Sequence, residues 1–407
     1  MKENFQTCFD AAEERGIKGS TPLTSGGRIT IDGKERHRQE MSECLKAGFI
    51  ALGLIGGSIA KNIRRVFPDA YITALNRSKE TLDLALKEGI IDHGTLKLDD
   101  SFRDCDFIFL CAPVETNTEY LSLLKPYLSP ETILTDVGSV KGVIHAAVER
   151  YAGDALFIGG HPMAGSEKSG YKNSNDHLIE NAYYILTPGD NAGEEHIRRY
   201  EDLVRRLGAI PLVLSPALHD RVTAAVSHVP HMIAYTLVRL IEKEDSPEQH
   251  MKAIAAGGFK DITRIASSDP VMWEQICLEN PEQITALMDE YIEMLSKTRE
   301  FIESGKGDEL RGIFEEAKNY RDSVPDAPLG PIKKTYVIHI DVEDEPGAIA
   351  IVATILSSHG LSIKNIGIVH NRTYEEGALR IEFYDRESMA LGIADLMEKG
   401  YKIYSRT

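Results

Sequence analysis

The stretch Gly159–Ser169, GGHPMAGSEKS, sets one histidine among glycines and a proline, followed by a hydroxyl, a carboxylate and an ammonium at Ser166, Glu167 and Lys168. Glycine and proline around His161 argue for a stiff, closely approached loop and against a helix. An imidazole titrates near neutrality, so His161 is the candidate general base, and the polar groups after it can grip a small anion. A polar surface turn with an incidental histidine would look the same locally. The surrounding chain has to decide between them.

The bulk numbers narrow the field. A chain of 407 residues holds two or three domains, each with its own core. Its 42% hydrophobic and 27% charged residues are those of a water-soluble globular protein. The net charge of −17 argues against a nucleic-acid groove or an anionic membrane as partner. An anionic small substrate needs only a local cluster of cations and stays open. No apolar run is long enough to span a bilayer and no signal peptide is visible, so the expected location is the cytoplasm. Cys8, Cys44, Cys105, Cys111 and Cys277 show neither paired nor metal-ligand spacing, and are expected to be reduced.

Residues 1–45 are polar and glycine-rich without a sustained apolar period, which predicts a weakly ordered extension. Met41 precedes the first convincing strand, so a shorter product starting there is an alternative. Residues 46–215 then alternate strand and helix. Apolar runs at 47–52, 71–75, 106–111 and 132–135 are separated by helix-like segments, which predicts an α/β domain with a doubly wound parallel sheet of the Rossmann type. Its ligand belongs at the carboxyl ends of the strands. Residues 216–324 carry long helical patterns (217–244, 248–256, 270–279, 281–305) and predict an all-helical domain. Its apolar faces need a partner, so a homodimer is expected. Residues 325–334 are a proline-rich linker. Residues 335–407 follow the order βαββαβ of a ferredoxin-like unit.

Ala51-Leu52-Gly53-Leu54-Ile55-Gly56 approximates the dinucleotide fingerprint. Glycine at Gly53 lets backbone N–H groups approach a pyrophosphate, and the helix that follows directs its positive end at that charge. Alanine replaces the first glycine, which the turn tolerates if Ala51 keeps a negative φ and which loosens it otherwise. At the end of the second strand stand Asn76, Arg77 and Ser78 instead of an acidic residue. An amide beside a cation accepts a ribose 2′-phosphate better than a carboxylate does, which favours NADP alongside NAD. A helix cap at Ser78 beside a solvated arginine is the competing explanation.

Five motifs occur in order: LGLIGGS at 52–58, TDVGSVK at 135–141, GHPMAGSEKSG at 160–170, SHVPH at 227–231 and GGFKDITRI at 257–265. Together they resemble the prephenate/arogenate dehydrogenase family of tyrosine biosynthesis, over about residues 47–322. The C-terminal unit, with Asp344-Glu345-Pro346-Gly347 opening its first helix, resembles an ACT domain. The resemblance implies an oxidative decarboxylation, in which a cyclohexadienol gives hydride to a nicotinamide and loses its ring carboxylate as carbon dioxide. Such a reaction needs a base for the ring hydroxyl, a cation for the carboxylates and a cofactor at hydride distance.

It further implies that His161 takes the proton or hydrogen bond of the ring hydroxyl, and that Ser139 bridges His161, substrate and nicotinamide. A cap on the following helix is the plainer role for Ser139. By the same resemblance Arg264 grips a substrate carboxylate through paired hydrogen bonds. His231 and His228 line the substrate pocket, sharing a helix face if the helix continues through Pro230. Without a nearby carboxylate or cysteine at ligand spacing, no metal is expected there. Ser166 and Glu167 contact the substrate side chain or the partner subunit, and Trp273 walls the pocket or fills the dimer core. The cofactor contacts fall at Gly53, Leu54, Ile55, Gly56, Asn76, Arg77, Ser78, Ala112 and Pro113. Asp344, Gly347, Asn365 and Ile366 stand where such modules hold an amino acid, with tyrosine as the logical effector; a purely structural module is the alternative.

Three other readings stay open. Arogenate differs from prephenate by an ammonium where the latter has a ketone. A β-hydroxyacid dehydrogenase shares the architecture but uses a helix-borne lysine. A non-catalytic nucleotide and amino-acid sensor would need no base.

Overall fold

The structure, a computed structural model, describes residues 45–165, 168–324, 336–342, 346–369, 378–384 and 386–404. The expected N-terminal extension (all but Leu45), the linker, Ser166, Glu167 and Asp344 therefore lie outside the described residues. Leu45 itself is core: it is 7% exposed and its carbonyl accepts the Tyr71 N–H at 2.8 Å.

Five short strands, all but β3 apolar, form a parallel sheet: β1 (Lys46–Ile50), β2 (Tyr71–Leu75), β3 (His93–Thr95), β4 (Phe107–Leu110) and β5 (Ile133–Asp136), in the order β3-β2-β1-β4-β5. Residues on both faces of β1, β2, β4 and β5 are buried, because helices cover each side; that is why these strands read as unbroken apolar runs. The helices are α1 (Leu54–Val66), α2 (Lys79–Lys87), α3 (Val114–Leu124) and α4 (Gly142–Tyr151). Successive strands run outward to one side of β1 and then to the other. The crevice at the carboxyl ends of β1 and β4 is thus a topological switch point.

Three further strands extend the domain beyond what the sequence pattern implied. β6 (Ile158–Pro162) pairs antiparallel with β7 (Tyr183–Pro188), and β7 pairs parallel with β8 (Ile210–Val213). A parallel bridge between Leu134 and Phe157 aligns β6 with β5. His161 therefore sits on a buried strand and not on the expected loop. Strand positions 159 and 160 are glycine because side chains would collide there: a Cβ on Gly160 would lie 2.7 Å from the Asp136 carbonyl oxygen, and one on Gly159 would run into Thr187 Oγ1. After helix α5 (Glu194–Arg206) and β8, the chain leaves the sheet.

The helical region begins at Pro216, close to the expected boundary. The single helix expected over 217–244 is instead α6 (Pro216–Thr223), a π-helical turn (Ala224–His228) and α7 (Val229–Glu244) in series. Pro230 has no N–H to donate, and the widened turn before it absorbs the missing hydrogen bond. The helix expected over 248–256 is shorter, α8 (His250–Ile254). Next come α9 (Gly257–Thr263), a 3₁₀ turn (Arg264–Ser267), α10 (Pro270–Glu279), α11 (Pro281–Glu303) and α12 (Gly307–Ser323). Trp273 and Ile276 of α10 bury against Val140, which follows β5, so this interface lies inside one chain.

The C-terminal module is a four-stranded antiparallel sheet in the order β10-β11-β9-β12, from β9 (Tyr336–Asp341), β10 (Ile363–Val369), β11 (Ala378–Phe383) and β12 (Ile403–Tyr404). With α13 (Ala348–Ser358) and α14 (Arg386–Glu398) it has ferredoxin-like topology and its own core around Ile338, Ile340, Leu379 and Phe383.

Candidate active site

β1, β2, β4, β5 and the start of β6 all run the same way, so the residues after each strand collect along one edge. Ala51–Gly56 follow β1, Asn76–Ser78 follow β2, Ala112 and Pro113 follow β4, Ser139 follows β5, and His161 is near the end of β6.

The loop after β1 fits a dinucleotide. Gly53 is the N-cap of α1, no side chain caps it, and the first turn holds no acidic residue. The leading N–H groups at Leu54, Ile55 and Gly56 are left to a negatively charged ligand. A Cβ on Gly53 would meet nothing within 4 Å, whereas one on Gly56 would lie 2.8 Å from the Ala51 carbonyl oxygen and from Cys111 Cβ. Gly53 therefore opens the approach to the pyrophosphate and Gly56 permits close packing of helix on sheet. Ala51 has a φ of 75°, in the left-handed region. The negative φ that would let alanine serve there is not adopted, and the turn carries strain instead of loosening.

Asn76, expected beside a ribose, is tied into the loops themselves. Its Oδ1 accepts the Leu52 N–H at 3.2 Å, tying the two loops together, and its Nδ2 donates to the Ser78 carbonyl at 3.3 Å. Ser78 Oγ accepts the Thr81 N–H at 3.2 Å, so the hydroxyl does cap α2, while Arg77 is exposed beside it. Asn117, a residue the motifs did not flag, braces Ala112 from both sides: it accepts from the Ala112 N–H at 3.2 Å and donates to its carbonyl at 2.7 Å.

His161 is 9% exposed, and burial holds its imidazole well below the usual histidine range, so it stands neutral. Its Nδ1 lies 2.8 Å from Nε2 of His219, whose own Nδ1 lies 2.7 Å from Asp220 Oδ1. Asp220 in turn accepts the backbone N–H groups of Lys141 and Gly142, each at 2.8 Å. Burial alone would raise its carboxyl, but His219 and these amides outweigh that and hold it below the ordinary carboxylate range. A carboxylate on α6 thus caps the amino end of α4, and Ser139, three residues upstream of Gly142, does not. Under the site Lys141, wholly buried, makes a short ion pair with Asp136 and donates to the Gly160 carbonyl at 2.8 Å. The Gly160 N–H donates to Asp136 Oδ1 at 3.2 Å. The strand bearing His161 is therefore pinned through both peptide groups that flank the Gly160 Cα.

His219 and Asp220 lie outside all five motifs. An adjacent His-Asp pair nine residues before His228 was the available signal, but it reads as an ordinary exposed helix turn until α6 packs on β6. Lys141 and Asp136 lay inside a quoted motif without being assigned a role.

On the other wall, His228 and His231 both face Trp273, with ring centroids 6.0 Å and 3.5 Å away. The helix does continue through Pro230, and the shared face is real. His228 is buried and pushed down to about 4 by that burial. Burial lowers His231 too, and the charge of Arg264 adds to the effect. Arg264 is exposed at the head of its 3₁₀ turn. Buried His228 Nδ1 and Trp273 Nε1 have no hydrogen-bond partner among the described residues. In the C-terminal module, Gly347 opens α13 with φ of 100°, and Asn365 follows an irregularity in β10 beside Ile366.

A nucleotide-binding Rossmann domain whose strand-borne histidine meets a helical domain defines a dinucleotide-dependent oxidoreductase. Comparison with known proteins narrows the class. The profile described as prephenate dehydrogenase, nucleotide-binding domain matches residues 59–212, and that described as prephenate dehydrogenase, dimerization domain matches residues 215–316. Prephenate dehydrogenase of Bacillus subtilis is 38% identical over 334 residues, 82% of this chain and 90% of that protein. Among solved structures, prephenate dehydrogenase from A. aeolicus in complex with hydroxyphenyl propionate and NAD+ is 35% identical with a TM-score of 0.65, covering 70% of this chain and 99% of that one. Synechocystis arogenate dehydrogenase is 28% identical with a TM-score of 0.63, over 68% of this chain and 99% of that one. The chain belongs to the prephenate dehydrogenase family.

Proposed function

We propose that the protein is a prephenate dehydrogenase that converts prephenate to 4-hydroxyphenylpyruvate. The observation that carries this is the neutral, buried His161 at the same sheet edge as the uncapped amino end of α1. Gly53–Gly56, Asn76–Ser78 and Ala112–Pro113 would hold NAD or NADP, which would supply the hydride acceptor. His161 removes the ring hydroxyl proton as the carbinol C–H bond gives up its electron pair. Loss of the ring carboxylate as carbon dioxide then completes aromatisation. Ser139 orients the hydroxyl, and Arg264 binds a substrate carboxylate beside His231. His228 and Trp273 supply orphaned polar atoms to the same wall. Ser166 and Glu167 take the substrate side chain.

The helical domain supports a homodimer: Ile254, Leu278 and Met294 are 79%, 72% and 67% exposed, apolar surface that a second copy would cover. No helix of the described residues is long and apolar enough to cross a membrane, and we place the enzyme in the cytoplasm. The C-terminal module, read as an ACT domain, makes tyrosine the feedback ligand, at Asp344, Gly347, Asn365 and Ile366. Arogenate is the second reading of the substrate, favoured by the likeness to the Synechocystis enzyme. One initial-rate experiment tests the set: prephenate and arogenate crossed with both cofactors, with and without tyrosine, on the parent and on His161→Asn. Nicotinamide reduction with prephenate, lost in His161→Asn while cofactor still binds, is expected. Undiminished turnover in that variant refutes the assignment.

A further inference from the structure

We propose that Asp220 and His219 form a positioning pair behind His161 that fixes its tautomer and balances the charge it acquires. The inference rests on His161 being the base.

The hydrogen positions follow from the donor inventory. The Asp220 carboxylate accepts two backbone N–H groups, and an ionised carboxylate can only accept. The proton of its contact with His219 therefore sits on His219 Nδ1. Burial together with nearby Lys141 keeps His219 neutral, and a neutral imidazole carries one N–H. Its Nε2 then has only a lone pair to offer, so the proton in the 2.8 Å contact belongs to His161 Nδ1. That leaves Nε2 of His161 as the free lone pair. The carboxylate thus specifies, through two rings, which nitrogen can accept a proton.

The same network answers the charge problem. The groups whose charge acts on His161 are His219 from α6, Lys141 from the β5–α4 connection and His228 from the π-helical turn. Asp136 of β5 and Asp220 of α6 pair with Lys141 and His219, and β7, paired with β6 at Ile185, brings Tyr184 beside them. Glu279 at the end of α10 stands further off, pushed up to about 7 by burial. Two carboxylates and one ammonium, Asp136, Asp220 and Lys141, leave the resting buried network with one net negative charge. When the substrate O–H bond breaks and its proton bonds to His161 Nε2, the network becomes neutral. A site arranged in advance for the charge that develops needs no reorganisation at that moment.

The first test reads hydrogens without turnover. In the ligand-free full-length protein labelled with 15N-histidine, His161, identified by loss of its signals in His161→Asn, should show protonated Nδ1 and unprotonated Nε2. The reverse tautomer overturns the proposal whatever the variants do. The second test is kinetic. Asp220→Asn keeps the shape but removes the charge and the exclusive acceptor. It should lower kcat by about 100-fold or more with KM little changed, by the logic of a base held in the wrong tautomer. Its acid limb of kcat/KM should move to lower pH, because a protonated His161 has lost its counter-charge. A purely structural role would leave that limb in place. If His161→Asn is dead while Asp220→Asn and His219→Gln run at parental rate, the positioning pair fails and the base survives. If His161→Asn itself is active, the base assignment fails first.

Discussion

Replacing Ala51 by glycine should stabilise the protein, against the usual direction for such a change. Ala51 is held at φ 75° by its neighbours: its N–H donates to the Leu75 carbonyl at 2.8 Å, and α1 crosses its carbonyl closely at Gly56. The chain cannot relax without breaking the β1–β2 edge. An L-residue in the left-handed region costs roughly 1–2 kcal/mol. Glycine removes that cost but gains roughly 0.4–1 kcal/mol of freedom in the unfolded chain, so the net gain is about 0.5–1 kcal/mol. For a unit of this size the melting temperature should rise by about 1–4 °C. Urea unfolding of Ala51→Gly and parent without cofactor reads the difference directly. Cofactor affinity should stay within about twofold, since Gly53 and the first turn of α1 are untouched. A variant equal to or less stable than the parent would refute the strain argument.

Three other outcomes follow from the geometry. Gly160→Ala places a Cβ 2.7 Å from the Asp136 carbonyl oxygen and 2.9 Å from Tyr200 Oη. It should shift the strand under His161, lowering kcat by about 10- to 100-fold and stability by about 1–3 kcal/mol; parental kinetics would contradict this. His228, at about 4 when folded, binds a proton more readily when unfolded, so its contribution falls as pH drops from its ordinary 6.5 towards 4. At pH 5 the loss is about 2 kcal/mol, and denaturation at pH 7 and 5 should show His228→Leu spared that amount. Asn76→Asp keeps an oxygen for the Leu52 N–H but sets a charge beside a 2′-phosphate, so kcat/KM for NADP relative to NAD should fall by about tenfold. An unchanged cofactor ratio would remove Asn76 as a determinant.

Much of this molecule is written locally. The buried strands β1, β2, β4 and β5, the uncapped glycine start of α1 and the βαββαβ order of the C-terminal module each follow from apolar periodicity and backbone freedom over a few residues. That His161 is a candidate was equally legible, because glycine and proline beside an imidazole are a local pattern. What the pattern misjudged was its setting. β6 to β8 are held by pairings 22 to 30 residues apart in sequence, and the glycine-rich β6 gives no apolar alternation to reveal a strand. The π-helical turn before Pro230 and the left-handed Ala51 likewise answer to neighbours outside their own segment.

The residue types able to do the chemistry were therefore fixed by sequence alone, and their roles by long-range packing. Only when α6 closes on the start of α4 and on β6 does a plain His-Asp pair come to stand 2.8 Å from the His161 ring, whereas the Lys141–Asp136 pair is local in sequence and owes only its burial to the fold. Hydrogen-bond direction and desolvation depend on which groups share a water-free volume. That is a property of the folded chain, which no window of its sequence contains.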